Sequence, residues 1–165
     1  MATLTLYNAT NMTLNGIISY IASDMEHEGL VLHYNAIGAD PYRAVRDMLN
    51  VKRYYGKLDG NEYIQMILSL EADEVKNNND IECFITAVTD MLYTLFDRYK
   101  CQIAYAIHYN TPNLHVHYIL NSVRYNDGHK LQIGPEELKN LKYVLNEKMR
   151  MFGFSEIRVK TQKIS

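Results

Sequence analysis

Along this chain the apolar positions switch repeatedly between a two-residue and a helical period. "TLTLYN" alternates like a strand, and Thr13 to Asp24 then leads into Leu14, Ile17, Ile18, Ile21 and Met25 at helical spacing. "LVLHYNA" is a second strand. "DPYRAVRDMLNVKRYYG" offers Asp40 as a cap, Pro41 in the first turn and Gly56 as a stop, which together predict a helix. "EYIQMILSLE" follows as a third strand, and Asp80 to Lys100 as a long amphipathic helix. "CQIAYAIHY" and "NLHVHYILNSVRY" are strands joined by the turn-rich "NTPN", and "NDG" supplies a tight turn into "HKLQI". Gly134 and Pro135 open a last helix that runs to Gly153, and "EIRVK" is a short final strand.

Strands joined by loops this short cannot be parallel neighbours, because a parallel crossover needs a dozen residues or more. The expected fold class is therefore α+β: a two-layer sandwich with a mostly antiparallel central sheet of about five strands and helices packed on it. The sheet face away from the helices is then open to hold a site. At 165 residues the chain suits one domain, 1–165, with a core that needs no disulfide or metal staple. Neither a repeat nor a linker divides it, and it can be one piece of a longer protein.

Composition narrows the class. The two cysteines, Cys83 and Cys101, lie in apolar surroundings and read as buried free thiols of a reducing cytoplasm. There is no signal-peptide pattern and no apolar run of membrane-spanning length, so a membrane partner is not expected. Net charge is −2. Residues 1–100 carry 8 Lys/Arg against 14 Asp/Glu, a net of −6, and residues 101–165 carry 9 against 5, a net of +4. A basic second half can hold phosphates under an acidic total. On charge alone, a solvated surface explains the asymmetry equally well.

"NLHVHYILNSV" is the stretch that resists a purely structural reading. Strand side chains alternate, so His115, His117, Ile119 and Asn121 share one face, while Leu114, Val116, Tyr118 and Leu120 form an ordinary core face. His108 ends the preceding strand, and a hairpin through "NTPN" places it beside His115. Three imidazoles then converge, a common divalent-metal set with open positions for substrate. Such a set leaves the ion's double charge unneutralised, which suits an anionic phosphate. Other histidine chemistries fail on the letters: position 119 is Ile119 rather than a third alternating histidine, neither Ser nor Thr stands two places after His115 or His117 as a His-x-Ser/Thr motif needs, and "HExxH" is absent. Metal-assisted transesterification remains, with its nucleophile elsewhere. Tyrosine is too abundant, at 14 residues, to choose by count. At 100° per residue Tyr20 lies about 120° from the centre of the first helix's apolar stripe, on its flank.

"HYNTPNLHVHYILNSV" resembles the HUH signature of conjugative relaxases: a first His, then Asn-Leu-His-apolar-His, with Asn four positions after the last His. Upstream, "KRYYGKLDGNEYIQMILSLEADE" is similar to the family's second region, in which a Gly turn leads into a strand carrying a serine near the scissile phosphate, here Ser69. "GIISYIAS" resembles the first motif, whose tyrosine attacks DNA. The three regions run from about Gly16 to Val123 in the family's order.

The resemblance implies a mobilisation relaxase of a plasmid or integrative element, cytoplasmic and bacterial, that nicks one strand of a transfer origin and keeps the 5′ end on tyrosine. Carried over, Tyr20 is the nucleophile, and His108, His115 and His117 are the metal ligands. Magnesium or manganese is expected in use, although three imidazoles hold zinc, cobalt or nickel more tightly. Single-stranded or hairpin origin DNA is the expected partner, with relaxosome accessory and coupling proteins beside it. Ser69, Asn121, Arg124, Lys130 and Lys142 are the expected DNA contacts. Many members carry Asp two places after the first His, where this chain has Asn110, which can orient a ligand but cannot act as a base. Two alternatives stay open: a replication initiator that uses Tyr143 in "LKNLKYVLNEK", and a non-catalytic, metal-stabilised DNA-binding module.

Overall fold

The period-two runs form six strands: β1 (Ala2–Asn8), β2 (Val31–Ile37), β3 (Tyr63–Ser69), β4 (Ile103–His108), β5 (His115–Asn121) and β6 (Ile157–Lys160). The helical runs form α1 (Leu14–Ala22), α2 (Ala44–Tyr54), α3 (Asn78–Tyr99) and α4 (Pro135–Met151). The computed structural model describes residues 1–9, 12–22, 31–109 and 111–160, with Lys160 by its backbone alone. The strand order is β2-β4-β5-β3-β1-β6; every neighbouring pair is antiparallel except β1 with β6. The α+β class holds, with one strand more than expected.

Local chemistry sets the element ends. The Asp40 side chain accepts from the Tyr42 amide and caps a 3-10 turn (Pro41–Arg43) that leads into α2. Asn77 and Asp80 exchange side-chain bonds with each other's backbone amides and start α3, which Lys100 ends in the left-handed region at φ 52°. "HKLQI" does not become a strand. Val123 and Lys130 share a single bridge, and the segment is tied down by Arg124 N donating to His129 O and Leu131 N to Ser122 O.

Residues directly opposite one another across paired strands share a face. One face carries Leu4, Ile64, Met66, Leu68, Ile103, Ile107, Val116 and Leu120, and it is buried under Phe84, Val88, Met91, Leu95, Leu141, Leu145 and Met149 of α3 and α4. The other face carries Ala104, Ala106 and Ile119, covered by Leu14, Ile17, Ile18 and Ile21 of α1 and by Ala44 and Met48 of α2. The short side chains of Ala104 and Ala106 let α1 lie close to the sheet. This second cover is partial. On β1 and β3 the same face presents Thr3, Thr5, Tyr7, Gln65, Ile67 and Ser69, all half-exposed. Helices on both faces make three layers over one part of the sheet and two over the rest.

Candidate metal centre and active site

Register alone brings the three histidines together. His108 lies opposite His115 across β4 and β5, and Ala106 lies opposite His117. Ring centroids are 5.5 Å apart for His108 and His115, 4.7 Å for His108 and His117, and 5.1 Å for His115 and His117. One ring nitrogen from each can be chosen so that all three lie within 4.8 Å of one another. Two nitrogens on one ion are at most about 4.2 Å apart. The rings therefore need only draw together slightly to share a divalent ion, and the donor set fits one.

Each ring has its other nitrogen engaged by the protein. His108 Nε2 lies 2.9 Å from the Ile21 carbonyl, and His115 Nδ1 lies 2.9 Å from the Asn113 carbonyl. A carbonyl only accepts, so these nitrogens carry the proton, and the lone pairs sit on His108 Nδ1 and His115 Nε2. His117 Nδ1 lies 2.8 Å from the Gln65 amide. An amide can face it with either end: the nitrogen donates to Nδ1, whereas the oxygen accepts Nδ1–H and leaves the Nε2 lone pair for a metal. Burial, with His108 and His115 beside it, pulls the His117 pKa down to about 3, so this ring is neutral throughout the physiological range.

Tyr20 stands next to this cluster. Its ring meets His117 edge to face at 6.5 Å between centroids, and the residue is 50% exposed. Two unpredicted contacts hold the helix that carries it. The Glu62 carboxylate accepts from the Leu14 amide at 2.6 Å at the start of α1, and His108 donates to the Ile21 carbonyl near its end. Behind Glu62, the buried Lys52 ammonium donates to the Glu62 carbonyl and the Ser122 hydroxyl, both at 2.7 Å; desolvation lowers its pKa to about 8. Nothing in the letters of "NVKRYYG" marks Lys52 as buried. Gln65 had a signal: it sits two and four places from Ile67 and Ser69, a polar position on the open face of an apolar strand.

The remaining expected residues divide. Ser69 lies directly across from His115 on β3, at the edge of the cluster. Asn110 falls outside the described residues. Asn121 must be corrected as a DNA contact, because it is 0% exposed. Its side-chain nitrogen donates to the Met48 carbonyl and to Gln102 Oε1, and its oxygen accepts from the Val123 amide. Arg124 and Lys130 lie beyond the opposite end of β5 from the histidines. Arg124 pairs with Asp127 at 3.3 Å, and Lys130 donates to the Asp59 and Asn61 carbonyls. Lys142 and Tyr143 are on α4, whose buried residues pack against the far face; Tyr143 is 67% exposed. The structure brings Tyr20, Ser69 and the three histidines together, but not the basic residues.

The model of the MobA/VirD2-like relaxase nuclease domain matches residues 20–154. No curated protein matches the sequence. Among solved structures, a manganese-bound MobM relaxase domain with 22 nucleotides of plasmid oriT DNA superposes at a TM-score of 0.63. Identity is 15%, over 99% of this chain and 93% of that one. The MobM domain with oriT DNA and a 3′ thiophosphate gives 0.59 at 14% identity, over the same shares of each chain. At that identity these likenesses establish a common fold.

Proposed function

This chain belongs to the relaxases, as a nuclease domain of the MobA/VirD2-like family, and on that premise we propose that it nicks one strand of a transfer origin by attack of Tyr20 on a backbone phosphate. The observation that carries this reading is an exposed tyrosine ring 6.5 Å from one of three mutually close imidazoles on the partly open face of the sheet. His108, His115 and His117 would hold a divalent ion, which when bound polarises a phosphate oxygen and stabilises the charge that develops on it. The bound manganese of the MobM structures supports manganese or magnesium as the ion in use.

The chain's own residues do the rest. The Tyr20 oxygen bonds to phosphorus as the bond from phosphorus to the 3′ oxygen breaks. The phenol gives up a proton and the leaving oxygen takes one up, so the products are a free 3′ hydroxyl and a 5′ phosphotyrosyl ester. Because an ester has replaced an ester, attack by a 3′ hydroxyl reverses the step and reseals a strand. Ser69, across from His115, is placed to donate to a phosphate oxygen beside the scissile one.

The partner in this reading is the single-stranded or hairpin DNA of the origin, as in the oriT complexes of MobM. Accessory and coupling proteins of a mobilisation complex would receive the protein-bound strand, and the work would take place in a bacterial cytoplasm. No helix among the described residues is long and apolar enough to cross a membrane. Residues 1–165 act as one nuclease domain, to which further domains of a longer protein can attach.

The test is a covalent adduct. Single-stranded oligonucleotides tiled across the DNA on either side of the gene are incubated with the protein and Mn²⁺, then resolved under denaturing conditions. Wild-type protein is expected to retain a 5′ fragment end on Tyr20, identified by peptide mapping, and Tyr20→Phe to bind DNA without forming an adduct. An adduct on Tyr143 would give the site to the replication-initiator arrangement. DNA binding with no cleavage of any oligonucleotide would favour the non-catalytic module.

A further inference from the structure

α1 has only nine residues, and a helix that short is marginal without tertiary support. Its apolar stripe supplies most of that support, but its last four carbonyls have no partner within the helix. One of them, on Ile21, receives a hydrogen bond from His108 Nε2 at 2.9 Å, and His108 is 1% exposed. Ile21 is the residue after Tyr20. A metal-facing histidine therefore clamps the helix that carries the nucleophile.

We infer that His108 couples metal binding to the docking of α1, so that loading the three-histidine centre also fixes Tyr20 in place. The inference rests on the proposed function in one respect, that the three histidines bind a divalent ion. The rest follows from imidazole chemistry. The Ile21 carbonyl holds the proton on Nε2, which leaves the lone pair of His108 on Nδ1. An imidazole ligated through one nitrogen becomes a stronger donor through the other, and a hydrogen bond from the second nitrogen makes the first a more basic ligand. The C-terminal end of a helix carries partial negative charge, which favours a more positive donor at that point. Charge-assisted hydrogen bonds are roughly twice as strong as neutral ones. The linkage is reciprocal, so whatever the ion adds to the clamp, the clamp adds to the affinity for the ion. Gln65 and the Asn113 carbonyl engage the other two rings, whereas His108 reaches the nucleophile's helix itself by a hydrogen bond.

Hydrogen exchange tests this without any turnover. The Tyr20→Phe protein is titrated with Mn²⁺ alone in a calorimeter, and amide exchange across residues 17–22 is followed by mass spectrometry with and without the ion. Binding accompanied by about five- to tenfold slower exchange in that segment, with no comparable change in α3, is the expected result. Binding without slower exchange overturns the inference and leaves the metal centre standing; absence of binding overturns the metal centre and the inference with it. Two substitutions separate the roles of the ring. The amide nitrogen of His108→Gln reaches the position of Nε2 and keeps the clamp without the ligand, so its segment should exchange as in metal-free protein at any Mn²⁺ concentration. His108→Asn cannot reach the Ile21 carbonyl, so its segment should exchange faster than metal-free protein. A metal-dependent slowing that persisted in either variant would refute the role assigned to His108.

Discussion

An imidazole that receives a metal ion must be neutral and must present its lone pair in the right direction, and His117 meets the first condition through burial beside His108 and His115. This has a measurable consequence for the metal-free protein. In the unfolded chain a histidine titrates near 6.5, but in the folded protein His117 does so at about 3. Between those values the unfolded chain takes up a proton that the folded protein refuses. Stability is therefore expected to be complete above about pH 6.5 and to fall as the pH drops towards 3, and His117→Gln should flatten that profile in denaturant titrations. Asn121 calls for the opposite kind of prediction. Asn121→Ala would strand the Met48 carbonyl, Gln102 and the Val123 amide, at a cost of about 2 kcal/mol or about 4–8 °C of melting temperature. The salt dependence of DNA binding should stay as it was. The contrast shows what strand alternation makes legible. It gave the shared face of His115, His117, Ile119 and Asn121, and the hairpin spacing added His108. It could not give depth along the strand: the face is shared, but its far end runs beneath α2, where an asparagine serves the backbone instead of a ligand.

The same distinction governs the elements. Helices with their own caps and stripes were readable from the chain because their signals are local: Asp40 with Pro41, the acidic start of α3, and the Gly134–Pro135 entry to α4. "HKLQI" follows a tight turn, but a strand exists only where a neighbour offers a ladder, and here Val123 and Lys130 share a single bridge. The parallel pairing of β6 with β1 joins the two ends of the sequence and left no trace in either segment. The contacts that place α1 are equally non-local. Glu62 reaches across 48 positions to the Leu14 amide, and no periodicity encodes that. Glu62→Ala is expected to cost about 1 kcal/mol through the lost cap and to slow adduct formation several-fold, because the start of the helix that carries Tyr20, the proposed nucleophile, is released. Manganese affinity should fall only modestly, since Glu62 touches no histidine among its described contacts and reaches the centre only through the docking of α1. Loss of metal binding in that variant would show that α1 and the histidine centre are organised differently.

At the scale of the whole molecule, the sheet separates two chemically distinct sides. One is sealed by α3 and α4, with Lys142 and Tyr143 on α4. The other is covered by α1 and α2 across β2, β4, β5 and the Tyr63 end of β3, and the half-exposed Thr3, Thr5, Tyr7, Gln65, Ile67 and Ser69 of β1 and β3 form a more open floor on the same face as the histidines. In the proposed reaction, a strand cleaved next to His117 has to leave the centre over that floor or around α1. The balance of charge along the sequence suggested the basic second half as the DNA surface, but Arg124 and Lys130 lie beyond the other end of β5, and Lys142 is on the other side. Position relative to the centre, not charge count, therefore decides which substitutions matter. Thr5→Glu and Ile67→Glu, each placing a carboxylate on the floor, are expected to weaken binding of a single-stranded origin oligonucleotide tenfold or more at low salt. Lys142→Glu should leave it within about twofold, although each of the three changes adds negative charge to the protein. Anisotropy titrations at two salt concentrations distinguish the cases. If Lys142→Glu weakened binding most and reduced the salt slope by the roughly 0.7 that one lost phosphate contact on a single strand predicts, the DNA path would run over α4 and the floor would be bare.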